Sequence, residues 1–365
     1  MASNGPSARV HIEGLQTAVP TRVVGAGRAR PVAVAAPPLP ASALQRRARV
    51  VLYYRADGAP CGEEAVLVKE SLSEALADHP EMAGRLRRHA DGSWEVKLND
   101  TGVRLVLATV EANVEDFVGD KDRARREAAL APWTDVNAED PDVSALCFMQ
   151  LTRFQGDGGY AVGVSCSLML CDPLSLARFL LSWARTHAEM KAQNKAATSP
   201  MMQYVSYFQR ADTMTRRIKS IPLDSFAAND SNVETLLFRA ANTRGAHDHR
   251  ALARACVDQA SERVGAGKVP LFSVIVFARK GEGDGPAAMS VETCQADEQH
   301  GSGGAEHKLE VAQWQELGLD ELVLRESKPV HVSYSIETGG DEGLAVVMPD
   351  GAGFLVTATV PKCTN

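Results

Sequence analysis

Apolar residues along this chain follow two rhythms, one with a period of two and one with a period near 3.6. Val50 to Tyr54, in "RRARVVLYY", reads as a strand. Val68, Leu72, Ala75 and Leu76 then recur at helical spacing and predict an amphipathic helix ending before Pro80. Trp94, Val96 and Leu98 alternate with polar residues, as do Val103, Leu105 and Leu107, so both runs predict half-buried strands. "ALCFMQLTRF" and "YAVGVSCS" flank "QGDGG", whose Gly and Asp residues predict a hairpin loop. After the second of these strands, Leu176, Phe179, Leu180, Trp183 and His187 line one face of a second helix.

From about Lys191 to Asn232 the pattern fades. This polar stretch, 191–232, is read as a crossover between an N-terminal domain, 1–190, and a shortened C-terminal domain, 233–365. The second domain offers a strand in "VETLLFRA" and a helix around "RALARACVDQASERV". Its apolar run "VPLFSVIVFAR" favours a strand by propensity. Gly281 to His307 is glycine-rich and acidic, and a flexible, solvated loop is expected there. "VHVSYSI", the turn "ETGGDEG", "LAVVMP" and "FLVTATV" predict a terminal hairpin. The alternation of strands and helices gives an α/β class, and no solenoid-type repeat is present.

Composition narrows the function classes. With 365 residues, 45% hydrophobic and 23% charged, the chain suits two globular domains. A net charge of −7 without basic runs argues against nucleic acid as a partner, while a local basic pocket for acidic ligands stays open. Seven cysteines, an odd number without a CxxC pair, argue against a disulfide framework or a zinc site and favour a reducing compartment. The N-terminus lacks the apolar core of a signal peptide, and no run approaches the eighteen or so apolar residues of a membrane span. A protein without transmembrane segments is expected.

The stretch "GVSCSLMLCDPLSLARFLLSWA" carries the candidate chemistry. Asp172 and Pro173 suit the N-cap and first position of a helix: the carboxylate accepts free backbone N–H groups, and proline lacks the N–H that would go unpaired. The same stretch resembles, without a gap, the HxxxD region of the BAHD acyl-CoA-dependent acyltransferases. The shared positions include Gly163, Ser165, Asp172, Ser175, Phe179, Trp183 and Ala184. The resemblance implies two chloramphenicol acetyltransferase-like domains with mixed sheets and a channel at their interface. In that family the histidine four residues before the aspartate deprotonates an alcohol or amine that attacks an acyl-CoA thioester, while the aspartate is mainly structural.

Here the histidine position is Leu168 and the glycine after the aspartate is Pro173. Leucine cannot take a proton, and loss of a positioned general base typically costs about 10²–10⁴ in rate. His187 does not replace it, since it lies roughly 22 Å along the helix from Asp172 at 1.5 Å per residue. The family's second motif, DFGWG, aligns on "VLRES", Val323 to Ser327, and is also absent. No catalytic site is intact in Leu168, Asp172 and Pro173.

Within the family the plant Eceriferum/Glossy wax-biosynthesis branch fits best. The likeness is carried by "VHIEGLQTAVPTRVVG", "LNDTGVRLVLATVEANVEDF", "LCFMQLTRFQGDGGYAVGVS" and "KPVHVSYSIETGGDEGLAVVMPDGAGFLVTATVP". The resemblance implies a non-catalytic partner of the fatty acid elongase condensing enzyme, a ketoacyl-CoA synthase, at the cytosolic face of the endoplasmic reticulum. Such a partner promotes very-long-chain elongation for cuticular wax. A working acyltransferase with a relocated base is the alternative, and coenzyme A thioester is a ligand to consider; no metal or other cofactor is expected.

Smaller signals favour plain structural readings. Cys166 and Cys171 lack an orienting histidine and read as small buried residues. His247 and His249 lack a third metal ligand at motif spacing and read as a solvated helix N-terminus. "LSEALADHPEMAGRLRR" resembles the family's first helix with its "AGRL" end, so Arg85, Arg87 and Arg88 are expected at a solvated helix end.

Overall fold

The computed structural model describes residues 8–25, 27–35, 38–56, 61–193, 217–226, 233–241, 248–278, 288–295, 308–340 and 343–362. Two mixed sheets form the frame, as expected. The first runs β14 (His331–Glu337), β3 (Arg47–Tyr54), β8 (Tyr160–Ser167), β7 (Cys147–Phe154), β6 (Val103–Val110), β1 (Arg9–Ala18), β9 (Lys219–Pro222). Its pairs are antiparallel except β6 with β7. The second runs β13 (Leu309–Ala312), β10 (Val233–Ala240), β16 (Gly353–Pro361), β15 (Gly343–Asp350), β11 (Leu271–Phe277), β12 (Met289–Gln295), β2 (Ala29–Val34), β5 (Trp94–Lys97), β4 (Arg85–Arg88). Within it β11 pairs in parallel with β15, and β12 with β2.

The expected helices form at the expected places. Helix α1 (Cys61–Asp78) and α2 (Pro173–Ala192) pack on each other, and α3 (His249–Val264) lies on β15 and β16. Leu72, Ala75 and Leu76 of α1 join Leu176, Phe179, Leu180 and Trp183 of α2 in the main core. Each such large apolar side chain contributes roughly 1.5–3 kcal/mol by leaving water. Strand β3 is apolar on both faces because both are covered. Ala48, Val50, Leu52 and Tyr54 face the helices, while Val51 and Tyr53 enter a second cluster with Phe117, Leu130 and Phe154. Gly163 of β8 permits that cover, since a Cβ there would lie 2.0 Å from the Leu130 carbonyl oxygen.

Four expectations are corrected. The terminal hairpin is β15–β16; β14 instead pairs with β3 in the first sheet. Arg85, Arg87 and Arg88 lie on strand β4, not at a helix end, because α1 stops at Asp78 and a short 3-10 turn, Pro80–Ala83, intervenes. Arg85 is buried and donates to the Gly84 and Gly102 carbonyls, whereas Arg87 pairs with Glu95. The glycine-rich run contains β12, where Met289, Val291 and Cys294 are buried against β11 and β2. Apart from Ala288, the rest of that run lies outside the described residues. Finally, the crossover holds a short strand, β9, that extends the first sheet beside β1.

The sheets also do not follow the chain division strand for strand. Strands β2, β4 and β5 from the N-terminal half complete the second sheet, and β14 from the C-terminal half completes the first. This exchange makes the main core continuous: Leu168 and Leu180 share it with Ile275, Phe277, Leu344 and Val346. Among the described residues no helix is long and apolar enough to cross a membrane.

Candidate functional site: the sealed HxxxD position and a polar cleft

Strand β8 ends at Ser167, and the chain turns sharply before α2. The Ser167 carbonyl accepts from Leu170 N (2.9 Å) and Cys171 N (3.3 Å), while its hydroxyl accepts from Met169 N at 3.1 Å. Leu168 N donates to the Arg46 carbonyl at 3.0 Å. These bonds aim Leu168, Met169 and Leu170 into the core, each with 0% of its surface exposed. No solvent reaches the place where the general base would stand.

Arg30 closes the site from the second sheet. Its guanidinium, on β2, donates to the carbonyls of Met169 (2.6 Å) and Leu170 (2.8 Å) and is itself buried. Burial lowers its pKa, against the partial support of Cys171, Glu81 and Asp172. Charge-assisted bonds of this kind are roughly twice as strong as neutral ones, so Arg30 holds the turn rigidly to the facing sheet.

Asp172 and Pro173 take the structural roles expected of them. Asp172 is the N-cap of α2: Oδ1 accepts from Ser175 N at 2.8 Å and Oδ2 from the Ser175 hydroxyl at 2.6 Å. Pro173 occupies the first turn. Among the described residues no arginine lies within ion-pair distance of Asp172. His187 is buried and bonds Ser71, whose hydroxyl also accepts from Trp183 Nε1, so it stitches α2 to α1. Cys166 and Cys171 are free and buried, with sulfurs 3.4 Å apart. Hydrogen bonds with Cys147 and Cys171, together with burial, hold the Cys166 thiol well above its ordinary range. The Cys171 thiol is also raised: its bond with Cys166 pulls downward, but burial and the Asp172 carboxylate outweigh it. Neither is a thiolate nucleophile at neutral pH. His249 begins α3, half-buried behind the Asp248 cap; His247 lies outside the described residues.

The segment on the DFGWG position forms a tight turn. Leu324 and Ser327 exchange both backbone hydrogen bonds, and Arg325 and Glu326 between them adopt positive φ of 49° and 67°. Arg325 lies over the Tyr160 ring, 4.9 Å from its centre, and Tyr160 donates to the Leu324 carbonyl.

A separate cleft of about 680 Å³ lies beside the open edge of β14, and Leu168, Asp172 and Pro173 do not line it. Glu127, buried at its floor, accepts from Tyr53 (2.9 Å) and Ser333 (2.6 Å), and His331 bonds Ser333 at 3.1 Å. Burial raises the Glu127 pKa even though Ser333, Tyr53, Arg123 and Arg49 pull the other way. Burial lowers that of His331, with Arg123 adding to the effect. Such a pair of perturbed groups in a concave site marks a candidate functional site. Sequence reasoning passed over Arg30 and Glu127. The alternation of Arg30, Val32 and Val34 was one available signal, and a glutamate beside "AALAPW" was the other.

These features define a two-sheet mixed α/β frame in which the turn between β8 and α2 is sealed by apolar side chains. The fold is that of vinorine synthase, whose crystal structure aligns over 97% of this chain and 94% of that one with a TM-score of 0.50 and 16% identity. The family model described as "Transferase family" matches residues 48–253, more than half of the chain, and the chain belongs to that family, the BAHD acyltransferases. A hydroxycinnamoyl-CoA:piscidic acid hydroxycinnamoyltransferase from Actaea racemosa is 29% identical over 44% of this chain and 34% of its own length. An ECERIFERUM 26-like protein from Arabidopsis thaliana is 29% identical over 47% of this chain and 40% of its own. The chain thus spans well under half the length of these curated relatives.

Proposed function

We propose that this protein is a non-catalytic member of its family that promotes very-long-chain fatty acid elongation through a condensing enzyme, at the cytosolic face of the endoplasmic reticulum, in the service of cuticular wax. The observation that carries the reading is Leu168, fully buried where the general base would stand. A side chain without a lone pair, out of reach of solvent, has no part in proton transfer. The likeness to an ECERIFERUM 26-like protein supports the choice of branch. The test is co-expression with a plant ketoacyl-CoA synthase and a chain-length profile by gas chromatography. Longer acyl products than the condensing enzyme makes alone are expected. Unchanged profiles across several condensing enzymes, with expression confirmed, would remove the proposal.

A second reading, acyl transfer by a relocated base, draws on the hydroxycinnamoyltransferase among the relatives and on His331 and Glu127 in the cleft. It requires release of coenzyme A that depends on an acceptor and is lost in His331→Gln or Glu127→Gln.

A further inference from the structure

The cleft beside β14 has polar groups that the protein itself does not satisfy. On its floor the β3–β14 ladder sets Arg49 opposite Ser335 and Arg47 opposite Glu337. The Ser335 hydroxyl and Nε of both arginines are buried without a hydrogen-bond partner. Arg49 is neutralised by Glu337 at 2.7 Å, and Arg123 stands 3.5 Å from Glu127. Among the described residues, Arg47 and Lys121 of the cleft have no carboxylate within ion-pair distance. Arg47 lies instead over the Trp133 ring, 5.2 Å from its centre, and donates to the Gln45 carbonyl.

A half-buried cation without a direct ion pair is costly even with Glu337 and Asp135 in the neighbourhood, and so is a buried hydroxyl without a partner. Burial lowers the Arg47 pKa, with Arg49 adding to the effect and Glu337 and Asp135 pulling the other way. Two unpaired cations and a hydroxyl donor suit one dianion with several acceptor oxygens. A phosphate monoester, with a charge of about −1.5 to −2 at neutral pH, has that form, whereas a single carboxylate supplies half the charge. The cleft volume falls within the range of about 300–1,000 Å³ typical of small-molecule sites, so an organic body fits as well. Trp314 and Tyr334, stacked with ring centres 5.1 Å apart, offer that body an aromatic wall.

We infer that the cleft is a binding site for a small phosphate monoester with a flat organic body, its phosphate held by Arg47, Lys121 and the Ser335 hydroxyl. The site requires neither acyl transfer nor an elongase partner, and so stands apart from the function proposed above.

Phenyl phosphate is a suitable probe, titrated calorimetrically into the full chain beside benzoate. Saturable one-site binding is expected, weakened about tenfold, or ~1.4 kcal/mol, in Arg47→Met and several-fold in Lys121→Gln. Arg22→Gln, a remote exposed substitution, should bind as the wild type does. Lys121→Gln alters a cleft-wall side chain with no ion pair and keeps the test decisive if Arg47→Met fails to fold. Absence of saturation to about 10 mM, weaker than any useful affinity, would overturn the inference. Undiminished binding in Lys121→Gln would overturn it too, and benzoate binding as tightly as phenyl phosphate would overturn the phosphate assignment.

Discussion

Replacing Leu168 with histidine returns the residue type that the family's chemistry uses, but the structure gives that histidine nowhere to work. The leucine side chain is 0% exposed and sits among Met169, Leu170 and core residues of both sheets. Substitution forfeits apolar burial worth roughly 1.5–3 kcal/mol and encloses imidazole nitrogens whose lack of partners costs about 1–3 kcal/mol more. The buried Arg30 cation at the neighbouring carbonyls further disfavours the imidazolium that a base must become. A net loss of about 2.5–6 kcal/mol is expected. Leu168→Ala should fall in the same range through its cavity. Domains of this kind hold about 5–15 kcal/mol in total, so both variants should remain folded at moderate temperature. Urea unfolding followed by the fluorescence of buried Trp183 measures the loss, and coenzyme A release from acyl-CoA donors with alcohol or amine acceptors measures transfer. The reasoning fails if Leu168→His unfolds within about 0.5 kcal/mol of wild type while releasing coenzyme A at least about 100-fold faster with an acceptor present.

Substitutions at three other positions probe the surrounding frame. Asp172→Ala removes the α2 cap and should cost about 0.5–2 kcal/mol in urea, whereas Asp172→Asn, which keeps an acceptor oxygen, should cost less; an unchanged midpoint for the alanine variant contradicts the capping role. Gly163→Ala drives a methyl to 2.0 Å from the Leu130 carbonyl oxygen and should cost about 1–3 kcal/mol; a neutral result would show that the Leu130 segment is free to move. Glu127 has a raised pKa in the fold, so its contribution is fully present below the ordinary glutamate range and is lost as pH rises through the raised value. Glu127→Gln should therefore flatten the decline in stability with rising pH above about 4.3, and an unaltered pH profile would show that Glu127 is not the group responsible.

Local signals in the sequence are legible where local physics decides the outcome. The Asp-Pro pair at 172 and 173 caps α2 because N-cap chemistry spans only a few residues. The helical spacing of Val68, Leu72, Ala75 and Leu76 forms α1 because one buried stripe suffices. The sheet assignments were less legible. Alternation says that a residue run is a strand, but not which sheet receives it, so "VHVSYSI" looked like the partner of "LAVVMP" although it completes the other sheet. Arg85 shows the same limit. An arginine after a helix usually lies in solvent, and only the Gly84 and Gly102 carbonyls, brought close by the fold, make its burial affordable. The cleft depends on contacts such as Glu127 with Ser333, 206 positions apart, which no local window reveals.

A leucine where the family resemblance puts a histidine has a structural consequence of its own. An accessible histidine at this position needs an open channel, and an open channel forgoes the packing that now joins the two sheets. With Leu168 in place, the turn from Ser167 to Cys171 satisfies its own amides, and Arg30 satisfies the Met169 and Leu170 carbonyls from the facing sheet. The result is an interior arranged for cohesion, in which Leu168, Met169 and Leu170 are fully buried and only Arg30 Nε of the clamp is left without a hydrogen-bond partner. Strain and further unpaired polarity occur elsewhere: at Arg325 and Glu326, held at positive φ without glycine, and at Ser335 and Arg47 in the cleft. Functional pressure on a fold tends to leave its marks where local rules are broken at a cost. By that criterion the cleft along β14 and its neighbouring turn are the surfaces to probe first, ahead of the sealed turn around Leu168.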